Sequence, residues 1–223
     1  EKTPKIYLTI SDSEGKVVRR ISSNKSRGYH EKYWDLRTYS KRNIDDENNY
    51  SGPLVPPGKY SVHIEKFEND KLEKLTDSYS FDVTQIGSKS SQEDREKLYD
   101  FQLNFDELVS LMNKLVDEID QAIEEIDGEI NKSLNSSSDS NLESLNKKKG
   151  DIMDLKMILT GTRSLNYADV FSGSPPSVQR RLGNMSWELY NTTSKPTKTH
   201  EMTYKISKEK YDEVLKSFRE IMD

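Results

Sequence analysis

Aromatic residues in the first third of the sequence form its strongest candidate binding site. Tyr29, Tyr33 and Trp34 lie close together in the chain, and Tyr60 follows in a separate apolar segment. Aromatic side chains that share one surface can form a platform for a sugar ring or fill pockets of a protein partner. A single tryptophan in a β domain also commonly belongs to the core. We therefore predict a core role for Trp34, with a glycan or partner contact at Tyr29, Tyr33, Trp34 and Tyr60 as the alternative.

Histidine and carboxylate side chains offer metal and acid–base chemistry, but their spacing favours neither. His30, His63 and His200 are far apart and show no HxxxH or HExxH spacing of the kind found in zinc sites. Asp117 and Asp120 have the residue types of a glycosidase pair, which requires one carboxyl group in an apolar pocket. Their spacing instead places them on the polar face of a helix. The sequence predicts no metal site, no catalytic residue and no cofactor.

Two acidic stretches have the oxygen-rich spacing that calcium accepts, Asp12 to Gly15 and Asp45 to Asn48. Neither follows the EF-hand pattern, so a turn and a surface loop are the alternatives. The sequence also contains no GxSxG, P-loop or GxGxxG motif.

Composition excludes several classes of function. Cysteine is absent, which excludes disulfides, thiolate zinc sites and cysteine nucleophiles. Residues 1–87 carry 15 bases and 14 acids, and residues 88–223 carry 19 and 25, so neither half has the basic footprint of nucleic-acid binding. No run of about 18 apolar residues predicts a transmembrane segment. The chain starts at Glu1 rather than at methionine, and we expect a processed protein or a piece of a longer one.

Strand-like alternation of apolar and polar residues dominates the first part of the chain. It predicts a hairpin around the turn at Asp12, then three further strands, and the predicted strands cover residues 6–10, 17–21, 29–37, 59–64 and 78–83. The polar stretch from Thr38 to Ser51 is predicted to be a surface loop. Short strands separated by frequent turn signals predict a small antiparallel β-sandwich.

Helical periodicity dominates the second part. Phe105 to Leu134 has apolar residues at three- and four-residue steps, which predict one long amphipathic helix with an acidic opposite face. Leu142 to Leu159 forms the second predicted helix, and its bases Lys147 to Lys149 are expected beside that acidic face in an antiparallel hairpin. The third helix carries Val178, Leu182, Met185 and Leu189, and the fourth is predicted to begin at an N-cap, Ser207. Tyr167 and Phe171 are expected to cover one end of the bundle.

These patterns predict an α+β protein of two domains. A β-sandwich occupies residues 1–87, a linker residues 88–97, and an antiparallel four-helix bundle or helical hairpin residues 98–223.

Several segments together resemble a known family. Three of them, Ile6 to Ile21, Tyr33 to Arg37 and Gly52 to Ile64, are similar to the FlgD-type immunoglobulin-like module that follows the β-propellers of sortilin-like, BNR-repeat "glycosyl hydrolase" proteins of Bacteroidetes. Three later segments are similar to the helical C-terminus of the same proteins: Thr160 to Arg163, Pro175 to Leu182 and Lys195 to Thr197.

The resemblance implies an Ig-like sandwich in the C-terminal accessory region of an exported protein that is periplasmic, associated with the outer membrane or on the cell surface. The hydrolase label belongs to propellers that this chain lacks, so the resemblance transfers no catalytic residue. We expect a non-enzymatic module for protein–protein interaction or scaffolding in the envelope, docked onto its own upstream propellers or onto a protein partner. The alternative is a carbohydrate-binding module appended to a glycan-degrading enzyme. The 38–51 insert is longer than the resemblance implies and is a candidate contact specific to this protein.

Overall fold

The computed structural model describes residues 4–23, 26–39, 51–87, 90–135, 141–161 and 175–223. Within these ranges the chain forms seven strands, all paired antiparallel, followed by four helices, which confirms the predicted α+β class. The chain divides into two compact units, one of Glu1–Asp106 with Thr193–Lys195 and one of Glu107–Thr192 with Pro196–Asp223. Tyr167, Phe171 and most of the 38–51 insert lie outside the described residues.

The first unit contains two antiparallel sheets. The strands are β1 (Lys5–Ser11), β2 (Val17–Ser23), β3 (Arg37–Tyr39), β4 (Ser51–Leu54), β5 (Gly58–Glu68), β6 (Lys71–Lys74) and β7 (Tyr79–Val83). The larger sheet has the order β2-β1-β5-β6, and β7 pairs with the first half of β5. The smaller sheet pairs β3 with β4. The predicted strands at 6–10, 17–21, 59–64 and 78–83 are confirmed with small shifts of their ends.

The β1–β2 hairpin is built by Asp12. Its Oδ1 accepts hydrogen bonds from the backbone N–H groups of Glu14 (3.0 Å) and Lys16 (2.9 Å), and Gly15 supplies the left-handed φ of 82° that closes the turn. An aspartate that accepts bonds from nearby backbone N–H groups favours a turn over an extended chain. The predicted hairpin and its turn are therefore confirmed.

The predicted strand at residues 29–37 is wrong, because only its last residue is in a strand, β3. In this segment, local hydrogen bonds from side chains to the backbone take the place of the backbone hydrogen bonds that a strand would form with its neighbour. Trp34 Nε1 donates to the carbonyl oxygen of Arg37 at 2.9 Å, and His30 Nε2 donates to that of Ser26 at 2.6 Å. Leu36 has a φ of 59°, which no extended strand contains.

The ends of the predicted 38–51 surface loop lie in strands, Thr38 and Tyr39 in β3 and Ser51 in β4, so the loop prediction is wrong there and β4 was not predicted. The strand β6 was not predicted either. Asn69 and Asp70 separate it from β5, and both have positive φ values of 51° and 59°. Two such residues form the two-residue turn that suits the twist of a β-hairpin. The Asn69-Asp70 dipeptide is a sequence signal for a hairpin turn. The strand β6 that follows it is exposed and charged, so it lacks the buried apolar face by which a strand is usually predicted.

The hydrophobic core of the first unit lies on one face of the larger sheet. Its buried residues are Ile10, Val18, Val55 and Tyr60, and the partly buried apolar residues around them are Ile21, Trp34, Val62, Phe81, Val83 and Tyr99. Ile10 on β1 and Val62 on β5 are direct cross-strand partners, as two residues on the same face must be. The period-two alternation thus places one side of these strands in the core.

The helices are α1 (Gln92–Asn135), α2 (Leu142–Thr160), α3 (Val178–Tyr190) and α4 (Lys198–Met222). Helix α1 has a length of about 65 Å. It begins earlier than predicted and includes residues 92–97, which were predicted to form a linker. Ser91 starts it, since its Oγ accepts a bond from the Asp94 N–H. In the second unit, α2, α3 and α4 contact one another.

Heptad spacing organises the buried faces of the helices. On α1 the two buried series are Leu108, Leu115, Ala122 and Met112, Ile119, Ile126; on α2 the series is Leu145, Ile152, Leu159. Helices that keep a seven-residue repeat present one continuous seam to their neighbours. The predicted amphipathic faces of α1, α2 and α3 are confirmed.

Two ion pairs fix the register of α1 against α2. Lys149 Nζ lies 2.5 Å from Asp127 Oδ1, and Lys156 pairs with Asp120. The two aspartates and the two lysines are each seven residues apart, and their order is reversed between the helices. The predicted antiparallel contact between the Lys147–Lys149 stretch and the acidic face of α1 is confirmed for Lys149.

The predicted N-cap at Ser207 is wrong. Helix α4 begins at Lys198, where Thr197 Oγ1 accepts a bond from the His200 N–H and His200 Nδ1 accepts one from the Thr197 N–H. This is a capping box with histidine in place of the usual glutamate or glutamine. Ser207 instead lies fully buried inside the helix, where its Oγ has no hydrogen-bond partner among the described residues.

Candidate functional site

The four aromatic residues of the predicted site divide into two pairs. Trp34 and Tyr60 come together in the β core, with ring centroids 5.7 Å apart and edge to face, and Phe81 lies 6.2 Å from each of them. The Tyr60 hydroxyl donates to the carbonyl oxygen of Pro56 at 2.7 Å, and burial raises its pKa to about 12. These two residues therefore support the surface instead of forming it.

Tyr29 and Tyr33 are the exposed pair. Their side chains are 88% and 80% exposed, on an irregular segment that leads from Ser26 to Trp34. The hydrogen bond of His30 to Ser26 holds one end of this segment, and Trp34, inserted beside Tyr60, holds the other. The structure thus presents two tyrosines on a stretch of chain that is anchored at both ends.

Leu36 adds backbone strain next to this segment. It adopts a left-handed conformation, which costs a residue with a Cβ about 1–2 kcal/mol, and its side chain is 37% exposed. The conformation is held by flanking hydrogen bonds: the Val55 N–H donates to the Leu36 carbonyl at 2.8 Å, and the Arg37 N–H donates to Asp35 Oδ1 at 3.1 Å. Strain of this kind, maintained by surrounding contacts, clusters at binding sites.

We call the exposed segment of Tyr29, Tyr33 and Leu36 the tyrosine segment. Its groups are phenol rings, a phenol hydroxyl on each tyrosine and an aliphatic side chain, and none of them is a nucleophile or an acid at neutral pH. Such groups bind by burying apolar area and by donating or accepting single hydrogen bonds. Tyrosine supplies this contact area with few rotatable bonds, so little entropy is lost on binding.

A second cluster lies on the other face of the larger sheet. Thr9 on β1 is directly opposite Arg20 on β2 and His63 on β5. Glu65 accepts from all three: from Thr9 Oγ1 at 2.5 Å, Arg20 Nε at 3.2 Å and His63 Nε2 at 3.0 Å. The cluster joins three adjacent strands through one carboxylate.

Glu65 is held as a carboxylate by these donors. Burial by itself raises the pKa of a carboxyl group, but the hydrogen bonds from Thr9, His63 and Arg20 outweigh it and leave the pKa of Glu65 below its ordinary value. His63 Nδ1, the ring nitrogen that does not contact Glu65, is buried without a hydrogen-bond partner among the described residues. The geometry is that of a cross-strand ion network.

The remaining histidines belong to local structure. His200 is buried at the start of α4, where Nδ1 completes the capping box and Nε2 lies 3.2 Å from Glu188 Oε2 on α3. His30 closes the turn before the tyrosine segment. Across the part of the chain that the structure describes, no group of three or more His, Asp or Glu side chains is placed to hold a metal ion.

The sequence pattern alone does not reveal the polar cluster or the strained Leu36. Thr9, Arg20 and His63 occupy the alternate positions that face away from the core, a signal that was present in the period of each strand. Their contact depends on the strand order β2-β1-β5, which no local pattern gives. A positive φ at leucine has no signal in composition, since leucine is rare in that conformation.

No protein-family model, curated protein or solved structure matches the chain. Among the described helices, none has both the length and the apolar character needed to cross a membrane.

Proposed function

We propose that this chain is a non-catalytic interaction module that binds a protein through the tyrosine segment. The observation that carries the proposal is the pair of tyrosines, almost fully exposed, on a segment anchored in the core by Trp34. Tyrosine is enriched at the centres of protein interfaces, where an anchored ring fills a pocket of the partner. A segment that is already ordered loses less entropy on binding than a free one.

The architecture that fits this role is an Ig-like sandwich followed by an antiparallel four-helix bundle. The two antiparallel sheets, and the aromatic core on one face of the larger sheet, support the first part. The second part is supported by heptad-spaced buried faces on the helices, the antiparallel ion pairs between α1 and α2, and the ion pair of Arg219 with Glu118 at 2.6 Å between α4 and α1.

The setting that we propose is the cell envelope, with the chain as a C-terminal accessory region of an exported sortilin-like β-propeller protein. Its binding partner is then either the upstream propellers or a separate envelope protein. This part of the proposal rests on the sequence resemblance of the segments around Trp34, Pro56 and Pro175. The exposure of Tyr29 and Tyr33 supports their role as the contact.

Site-specific photo-cross-linking tests the proposal. Tyr33 is replaced by a photo-reactive phenylalanine derivative in the full-length protein in its native cells, and cross-linked products are identified by mass spectrometry. A discrete product from position 33, joined to a propeller or to another protein, is the expected result. The matched control is the same substitution at Tyr79, an exposed tyrosine on β7. Equal products from both positions, or none from position 33, would contradict the proposal.

A carbohydrate-binding module is the second candidate, and the same two exposed rings favour it. Tyr29 and Tyr33 have the free ring faces that stacking on a sugar requires. Binding of the chain to a panel of immobilised glycans separates the two candidates. A glycan that binds the wild-type chain and not the Tyr29→Ala/Tyr33→Ala variant would favour this second function.

A further inference from the structure

Helix α2 carries a second, exposed apolar stripe of two methionines. Met153 and Met157 lie one turn apart on α2, with 48% and 43% of their side chains exposed. At 3.6 residues per turn, they lie roughly 100° to 140° around the helix from the buried line of Leu145, Ile152 and Leu159. The burial of α2 against its neighbours therefore does not account for these methionines.

Exposed carboxylates lie beside this stripe. The ion pairs of Lys149 and Lys156 with α1 form a rim between the two helices, and both methionines lie beyond that rim on α2. Asp117 and Glu124 precede the paired aspartates by three residues each, which places them beyond the rim on α1. Because the helices are antiparallel, the two carboxylates of α1 and the two methionines of α2 lie on the same side of the row of ion pairs. Both carboxylates are exposed, and neither has an ion pair within the described ranges.

Two helical glycines continue the same surface. Gly128 follows Glu124 by one turn, and Gly150 precedes Met157 by two turns. A Cβ on either glycine would meet nothing within 4 Å, so packing inside the unit does not require them. Glycine costs a helix about 1 kcal/mol relative to alanine. Because neither glycine has a side chain, another backbone can approach the two helices closely at these positions.

We propose that this face, formed by Asp117, Glu124, Gly128, Gly150, Met153 and Met157, docks a basic amphipathic helix of a partner protein. The apolar side of that helix covers the two methionines, and its lysines or arginines pair with the two carboxylates. Methionine suits such a surface because its flexible, polarizable side chain adapts to the residues that it meets. Amphipathic helices bind in this manner through residues spaced at i, i+3, i+4 and i+7.

Charge complementarity selects this occupant over others. Nucleic acid and anionic membrane surfaces are repelled by carboxylates, whereas a neutral apolar helix would leave Asp117 and Glu124 without partners at the edge of the interface. This surface belongs to the helical unit and does not depend on the tyrosine segment.

The first test measures binding of synthetic helical peptides to the whole chain by fluorescence anisotropy. The probe is a leucine–lysine peptide whose leucines follow the three- and four-residue spacing. Its controls are a leucine–glutamate peptide of the same spacing and a leucine–lysine peptide of the same composition with alternating residues. Only the basic, helical probe is expected to bind. Equal binding of the alternating peptide would overturn the proposal.

Two variants locate the site. Asp117→Lys/Glu124→Lys and Met153→Gln/Met157→Gln are each expected to weaken the probe at least about tenfold. Glu125→Lys/Asp151→Lys makes the same change in net charge on other faces of the same helices, and Met202→Gln removes an exposed methionine of α4; both should bind like wild type. Circular dichroism checks that each variant is folded. Equal weakening by the charge control, or full affinity after loss of both methionines, would refute the site.

Discussion

The indole ring of Trp34 lies edge-on against the ring of Tyr60, with centroids 5.7 Å apart, and its Nε1 donates to the carbonyl oxygen of Arg37 at 2.9 Å. One side chain thus belongs to the β core and at the same time fixes the turn that follows the exposed tyrosines. The stability of the core and the shape of the tyrosine segment are coupled through this residue.

Trp34 and the exposed tyrosines should therefore respond differently to substitution. Trp34→Ala removes a ring that packs against Tyr60 and Phe81 and should lower the free energy of unfolding by about 3 kcal/mol. Tyr29→Ala and Tyr33→Ala remove exposed rings and should change it by less than about 0.5 kcal/mol. Urea denaturation of the isolated chain measures all three. A small effect of Trp34→Ala would contradict its place in the core.

The ion pairs between α1 and α2 should act as markers of register more than as sources of stability. A double-mutant cycle on Asp127 and Lys149 should give a coupling of about 0.5 kcal/mol, because both side chains are partly exposed to water. The cross pair of Asp127 with Lys156 is the matched control and should give a coupling near zero. Added salt should reduce the first value. Coupling of equal size in both cycles would indicate a different register.

Gly52 and Gly183 should respond to alanine in opposite directions. A Cβ on Gly52 would lie 2.3 Å from the carbonyl oxygen of Tyr39, so Gly52→Ala must displace β3 from β4 and should cost about 2 kcal/mol. A Cβ on Gly183 meets nothing within 4 Å inside α3, and Gly183→Ala should stabilise the chain by about 0.5–1 kcal/mol. Thermal unfolding followed by circular dichroism measures both, and a stabilising Gly52→Ala would exclude the close approach of β3 and β4.

Glu65 should contribute stability that depends on pH. Its pKa is lowered in the folded state, so its carboxylate form is favoured by folding. That contribution is complete above the unfolded pKa of about 4.3 and is lost as the pH falls through the folded value. The difference in unfolding free energy between wild type and Glu65→Gln should therefore be larger at pH 7 than at pH 3. Thr9→Val, which removes one donor, should reproduce part of this loss, whereas a difference that is constant with pH would contradict the network.

Periodicity predicted most of the fold. The buried positions of α1, α2 and α3 follow from three- and four-residue steps, and the β1–β2 hairpin follows from alternation around Asp12. The sequence does not reveal the start of α4, because its N-cap, Thr197, has a histidine in place of glutamate or glutamine as the partner in the capping box. Ser207, the predicted cap, is a small polar residue inside the core. The irregular segment before Arg37 has the sequence pattern of a strand because its aromatic residues have strand propensity.

The contacts that carry the candidate surfaces depend on tertiary structure. Thr9 reaches Glu65 across 56 residues of sequence, and Arg219 reaches Glu118 across 101. The sequence allows Trp34 either a core position or a place on a ligand platform with Tyr29 and Tyr33, and only the fold separates the anchored ring from the exposed ones. The exposure of Met153 and Met157 likewise depends on which face of α2 its neighbours cover.

Affinity for the protein that cross-links at position 33 tests the interaction function most directly. Isothermal titration calorimetry would compare the wild-type chain, the Tyr29→Ala/Tyr33→Ala variant and the Tyr79→Ala control. Loss of an interface anchor typically costs 2 kcal/mol or more, so the double variant should bind at least about tenfold more weakly, while the control binds like wild type. Unchanged affinity of the double variant would contradict the tyrosine segment as the binding surface.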